Sequence, residues 1–434
     1  MARVVVVGGG FGGTAAAARL AKNGHTVTLV ERSDRLGGAV GFVEQDGFRW
    51  DSGPSATLLP AVLRDLFRKS GRPLERELEL VPVEPVREHR FEDGSLLALP
   101  SGSRAAQIEA VDEALGAGTG RQWVDHVQTF AEPWDLLRRG YLERPFTPEH
   151  LDRATLALLR TRTSLDKVVH RQLKDRRLQA MALTAATMDG HAPRDAPAWL
   201  GMLAYVEQNF GVWTVPGGLG ALAGVLTRRL GERRVEVLTG TRVEDVAVRD
   251  GRAVGVRTGD GDLDADLVVC AIDPRGLPAL AGYVARTQPA LPPSVTHVGL
   301  SGDVPALPHE TVLHGKHATL VVRSGAAPES SAAWTVLARG RVEEDVLVAL
   351  ARHGIDVRDR VVARVDRSPR DVVVEHSGSP YGVLWQGRGT LTHRLGTRTP
   401  VPGVYCVGAH VAASTGLPFV GLTAAVVAEQ VGKA

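Results

Sequence analysis

Val4, Val5, Val6 and Val7 stand in a row near the start of the chain, with no polar residue among them. Such an unbroken β-branched run predicts a short strand buried on both faces, over Arg3–Val7. Glycines follow, and then an alanine-rich stretch over residues 14–23 that predicts a helix ending at Gly24. Residues 25–30 read as a second strand, closed by Glu31. Residues 47–55 predict a strand and a Gly-Pro turn, and residues 86–91 and 96–99 a hairpin around Asp93-Gly94. The apolar spacing then turns helical, predicting helices over 105–115, 120–137, 151–161, 164–170 and 176–188. Strand-like runs return over 235–238, 241–248, 253–257 and 266–271, with a turn at Asp250-Gly251. Residues 290–395 predict more sheet, with strands over 295–301, 319–322 and 334–338 and one helix over 342–354. A strand before Gly408 and a helix to the end close the chain. Strands alternating with helices at the start and end make the fold class α/β.

Composition narrows the function classes. The 434 residues suit two to three domains at roughly 150 residues each. Lys and Arg total 51 against 49 Asp and Glu, a formal net charge of +2, so no dominant basic field exists for nucleic acid. With 44% hydrophobic and 23% charged residues, wholesale disorder is excluded. The two cysteines, Cys270 and Cys406, each sit in an apolar strand-like run and read as small buried hydrophobes. They provide no disulfide framework and no Cys-rich metal site, and no metal is expected. The first residues lack a signal-length apolar core, and no stretch approaches the roughly 18–20 apolar residues of a membrane span. A cytoplasmic location is expected.

The glycines carry the first chemistry. Gly8, Gly10 and Gly13 have G-x-G-x-x-G spacing between the first strand and the first helix. Gly8 suits a tight turn, Gly10 a close approach of a pyrophosphate, and Gly13 close packing of helix on strand. Phosphates would lie at the helix N-terminus, where free N–H groups and the macrodipole favour anions. Glu31 ends the second strand, where a carboxylate accepts hydrogen bonds from an adenosine ribose. The expected corollary is that Glu31→Gln costs less affinity than Glu31→Ala, since it keeps one acceptor. This pattern points to a dinucleotide but does not separate FAD from NAD.

Further segments do. Glu31-Arg32-Ser33-Asp34-Arg35-Leu36-Gly37-Gly38 places a second glycine pair after the acid, and Asp51-Ser52-Gly53-Pro54-Ser55 follows a strand. Later come Val212-Trp213-Thr214-Val215-Pro216-Gly217-Gly218 and Gly403-Val404-Tyr405-Cys406-Val407-Gly408-Ala409. These segments resemble the flavoprotein superfamily of amine oxidases and carotenoid desaturases, most of all its bacterial phytoene desaturase branch. The resemblance covers roughly residues 1–70, 205–275 and 395–434. It implies FAD, held by Gly8, Gly10, Phe11, Gly12, Gly13, Glu31, Arg32, Gly37, Gly38, Gly53, Pro54 and Ser55. From the later segments it adds Val243, packing on the adenine, and Gly408, Ala409, Gly416, Leu417, Phe419 and Val420. A helix starting around residues 419–421 would present its N–H groups to the flavin N1/C2 edge.

The chain also departs from that pattern. Ala39 follows the second glycine pair where the family often has Arg or Lys. Ala409 matches the desaturase side, where the amine oxidase side has Asp. Ala412 stands where phytoene desaturases commonly carry His, with His410 two positions earlier. The catalytic acid or base is left unassigned, with Glu207, Trp213, Trp385 and His410 as pocket candidates and Trp334 and Tyr381 as further wall candidates. Lys167, His170, Arg171, Lys174, Arg176 and Arg177 form a basic patch, read as a solvated helix face or a peripheral contact with the inner membrane face.

The implied organisation is a Rossmann-type FAD-binding domain from residues 1–80, 211–275 and 396–434, with a mixed α/β substrate domain from 81–210 and 276–395. The implied activity is a desaturase or dehydrogenase passing a hydride from an apolar or isoprenoid-like substrate to flavin N5. Oxygen or a quinone would be the diffusible acceptor. An oxidase of a small amine or polar metabolite, or a redox-neutral isomerase, stays open as an alternative.

Overall fold

The computed structural model describes residues 1–146 and 151–434. Its first sheet is parallel, in the order Val404–Cys406, Leu267–Cys270, Arg3–Val7, Thr26–Val30, Glu236–Leu238. Three stretches far apart in the chain thus supply one sheet. The valine run occupies its centre, with Val4 to Val7 at most 3% exposed, as a strand covered on both faces requires. On one face Ala15 to Ala18 of helix Phe11–Lys22 are fully buried, and their small side chains let the Ala221–Glu232 and Leu417–Val431 helices pack close. On the other face lies a three-stranded antiparallel sheet, Val243–Arg249, Arg252–Thr258 and Gly261–Asp264, with Val246 and Val256 in the contact.

A second sheet has seven strands in the order Val361–Arg367, Ser294–Ser301, Ser331–Gly340, Ala318–Gly325, Glu310–His314, Arg87–Arg90, Leu96–Leu99. Side-chain alternation divides its two faces. Trp334 and Val336 pack on helix Val346–Arg352, whereas Thr335 and Leu337 point the opposite way, into the cavity described below. The hairpin Phe42–Gln45 with Phe48–Asp51 packs against this sheet. Its Trp50 is fully buried, and the indole donates to the Val298 carbonyl at 3.2 Å.

Several elements differ from expectation. The helix over 120–137 divides into Thr119–Gln128 and Ala131–Leu137, followed by a π turn, Arg138–Leu142. Pro133 has no N–H and would clash with the carbonyl of Thr129, so the helix restarts ahead of it. Residues 290–395 hold more than one helix: Val346–Arg352, shortened because Asp345 caps it, then Pro369–His376 and Gly389–His393. Ser368 and Asp371 form a capping box around Pro369, a start signal present in the sequence. Residues 147–150, within the expected substrate domain, lie outside the described residues.

Candidate active site

A single cavity of about 1260 Å³ runs from the C-terminal ends of the parallel strands to the face of the seven-stranded sheet. Its first part is built from backbone. Gly8 adopts φ +103°, and a Cβ on Gly13 would stand 1.9 Å from the Gly8 carbonyl oxygen. The turn and the helix therefore touch only because Gly13 has no side chain. Gly10 is the N-cap of Phe11–Lys22, with no side-chain cap and no acid in the first turn. Gly10, Phe11 and Gly12 line the cavity, so an uncapped positive helix end faces it. A second uncapped end, that of Leu417–Val431, brings Gly416, Leu417, Phe419 and Val420 to the same cavity. This helix starts at Leu417, earlier than expected, because Pro418 fits the first turn and Gly416 the cap.

These two ends, with the glycine turn between them, fit an elongated cofactor bearing a pyrophosphate and an electron-accepting ring that gains negative charge on reduction. Glu31, Arg32, Gly37, Gly38, Gly53, Pro54, Ser55, Val243, Gly408 and Ala409 also line the cavity, while Gly13 lies behind it. The Gly53 hydrogen serves chain packing rather than the cofactor, since a Cβ there would meet the Ala39 carbonyl oxygen at 2.2 Å. Arg32 turns away: its guanidinium donates to the Val374 and Glu375 carbonyls at the end of Pro369–His376.

Glu31 has an unexpected engagement. One carboxylate oxygen accepts from the Gly9 N–H at 2.7 Å, and the other from the Ser33 N–H and hydroxyl at 2.8 Å each. The carboxylate ties the glycine turn to the loop after the second strand. Both oxygens are acceptors of backbone N–H, which argues against a mild effect of glutamine: an amide would set its own N–H₂ against one of these donors.

The pocket candidates separate. Trp213 does not line the cavity; it pairs with Thr57, donates to the Phe210 carbonyl at 2.8 Å and lies under the Arg64 guanidinium. Trp385 is buried behind the wall, its indole bonded to the Ala413 carbonyl at 3.1 Å and its ring edge-on to Trp199. Core packing claimed Trp385, whereas Trp213 lies half-buried on the outer side of the wall. His410 does line the cavity, 3.8 Å from Asp273, and burial holds its imidazole down at about 4. It is neutral near pH 7.

Glu207 also reaches the cavity, bound by both Nη atoms of Arg87 at 2.9 and 3.0 Å. Arg87 Nε binds Glu310 at 2.9 Å, and Glu310 accepts a further bond from Arg323 Nε at 2.9 Å. Burial raises the Glu207 pKa despite Arg87, with the Glu310 charge adding to the rise, whereas two arginines hold Glu310 low, at about 2. Asp189, at the end of helix Arg176–Met188, lines the same space near Tyr381. Burial pushes its carboxyl up to about 6. Arg87, Glu310, Arg323 and Asp189 were not anticipated. A strand reading Arg-Glu-His-Arg over Arg87–Arg90 was the available signal, because charged residues in a strand need buried partners.

An apolar stretch of wall is formed by Leu165, Met181, Ala182, Leu200, Leu203, Val321 and Leu337. Of the other wall candidates, Tyr381 lines the cavity, and Trp334 faces the opposite side of its sheet. Among the described residues no helix is long and apolar enough to cross a membrane.

Comparison with known proteins gives the same direction. Residues 11–299 match the family described as flavin containing amine oxidoreductase. A 4,4'-diapolycopene oxygenase of Methylomonas sp. is 27% identical over 99% of this chain and 98% of its own length. A zeta-carotene-forming phytoene desaturase of Myxococcus xanthus is 34% identical over 62% of this chain, and the match spans about half, 53%, of that protein. Putrescine oxidase with bound putrescine superposes with a TM-score of 0.70 at 17% identity, over 99% of this chain and 98% of that one, a likeness of fold alone. The chain belongs to the flavin containing amine oxidoreductase family, and it is an FAD-dependent oxidoreductase of the carotenoid desaturase-like branch.

Proposed function

We propose that this chain is a desaturase or dehydrogenase that removes two electrons from an apolar, isoprenoid-like substrate. The observation that carries this reading is the continuity of the cofactor cradle with an apolar chamber, walled by helices Arg176–Met188 and Met202–Phe210 and by Val321 and Leu337. An extended hydrocarbon body gains by leaving water for such a wall, at about 25 cal/mol per Å² buried. The names of the relatives, a diapolycopene oxygenase and a phytoene desaturase, agree with a polyene or related lipid.

Bound FAD supplies a two-electron acceptor. The glycine turn and the Phe11–Lys22 N-terminus bind its phosphates, and Glu31 its ribose. The Leu417–Val431 N-terminus favours negative charge at the ring edge. In this reading residues 1–80, 211–275 and 396–434 hold the cofactor, and 81–210 with 276–395 hold the substrate. Oxygen or a quinone would serve as the diffusible acceptor. The exposed Lys167, His170, Arg171 and Lys174 would meet an anionic membrane surface from which a lipid substrate is drawn.

Anaerobic mixing of the FAD-loaded protein with polyenes and with primary amines tests the assignment. Polyenes bleach the flavin absorbance if it is right. Bleaching by amines, with none by polyenes, would overturn it.

A further inference from the structure

The apolar chamber has one polar end, and strand register shows how it arises. Glu310 is paired with Arg323, and Arg323 with Thr335, so these side chains form a row across three strands. Two residues along, Val312 is paired with Val321, and Val321 with Leu337. A pleated sheet thus presents a polar row and, about 7 Å away, an apolar one on the same face. Arg87 extends the polar row from the next strand, and Glu207 closes over it from helix Met202–Phe210. The polar row lies at the cofactor side, since His309, beside Glu310, meets the Ser55 hydroxyl at 3.2 Å.

We propose that this row binds a neutral oxygen function of the substrate, a hydroxyl or a carbonyl, while the apolar body extends over Val321 and Leu337. The inference rests on the isoprenoid reading above and adds the polar end to it. Arg323 spends only Nε on Glu310; its two Nη groups and the Tyr381 hydroxyl bond to nothing among the described residues, and both residues line the cavity. Donors facing a chamber that a lipid empties of water need an acceptor, which a pure hydrocarbon does not carry. The charges select neutrality. Arg87 and Arg323 balance Glu207 and Glu310, so within the row itself an ammonium finds no unpaired carboxylate. A substrate carboxylate would join two others, with Asp51 and Asp189 also lining the space.

The test uses the FAD-loaded protein and four probes of one carbon skeleton: geranylgeraniol, its parent hydrocarbon, its acid and its amine. Binding is followed by tryptophan fluorescence, Trp123 lying in the chamber wall. The alcohol should bind about ten- to a hundredfold more tightly than each of the others, the range one hydrogen bond to a charged group allows. In the charge-balanced double variant Glu310→Gln/Arg323→Met that advantage over the hydrocarbon should fall to about one, with hydrocarbon affinity kept. Equal binding of alcohol and hydrocarbon by the parent overturns the polar end and leaves the isoprenoid reading standing. So does tightest binding of the acid or amine, or an alcohol preference that survives in the double variant. Binding of none of the four overturns the isoprenoid reading and the polar end together. The parent's own discrimination decides the matter if the double variant does not fold.

Discussion

Replacing Glu31 tests how the cofactor end of the site is held. Its carboxylate accepts three hydrogen bonds, at 2.7, 2.8 and 2.8 Å, from Gly9 and Ser33. Each charge-assisted bond contributes about 1.5–3 kcal/mol when sheltered, and this half-buried position takes the lower end of that range. Glu31→Ala removes all three bonds, and water reaches part of what is left. A net loss of roughly 2 kcal/mol is expected in the order of the glycine turn, together with the ribose acceptor itself. FAD affinity should then fall about ten- to a hundredfold, at about 1.4 kcal/mol per tenfold. Glu31→Gln is the sharper perturbation. It keeps size and shape, yet whichever way the amide turns, its N–H₂ faces either the Gly9 or the Ser33 backbone donor. Its loss should match that of alanine within a factor of about three. Titration of apoprotein with FAD, read by quenching of flavin fluorescence, gives both constants. A glutamine variant with parental affinity would refute the reasoning, because it would mean that one of the two backbone bonds carries no weight.

Gly13→Ala should abolish FAD retention on purification, since the added Cβ stands 1.9 Å from the Gly8 carbonyl oxygen and neither backbone segment can yield. Gly231→Ala, at an exposed position of helix Ala221–Glu232 with nothing within 4 Å of a Cβ, should instead raise stability by about 0.5–1 kcal/mol in urea unfolding. Burial raises the folded-state pKa of Asp189 from 3.8 to about 6, so its protonated form suits the fold. Stability from this group is complete below pH 3.8, falls as pH rises, and is lost above about 6. Asp189→Asn should therefore gain stability relative to the parent at pH 8, by at most about 3 kcal/mol, and gain little at pH 4. The same variant should lose an inflection near pH 6 in the rate of anaerobic flavin reduction; an unchanged profile would remove Asp189 from the reacting region.

Local chemistry made the cofactor end readable. A valine run, a glycine turn, an alanine-rich helix and a terminal acid are contiguous, and each residue's conformational need is met by its near neighbours. The hairpin at Asp93-Gly94 and the helix Arg176–Met188 were legible for the same reason, being set by turn residues and apolar period. Lining positions such as Gly408 and Leu417 came from the resemblance of whole segments rather than from any one residue.

The substrate end was decided by tertiary structure. Arg87, Glu207, Glu310 and Arg323 come from three strands and a helix, more than 200 positions apart at the extremes, and no local pattern marks them as partners. Their meeting depends on strand register, in which a shift of one residue would send each side chain to the other face of the sheet. Trp213 and Trp385 show the converse. Composition and neighbourhood suggested a pocket wall, but an indole is defined by what packs on it, and here that is Arg64 above one and Trp199 against the other. The sequence alone pointed to a dinucleotide cofactor and to one helix end and glycine turn as its phosphate site, because these are local objects. Which side chains face the far end of the cavity depended on how sheets and helices stack, because burial and charge pairing are set by the whole fold.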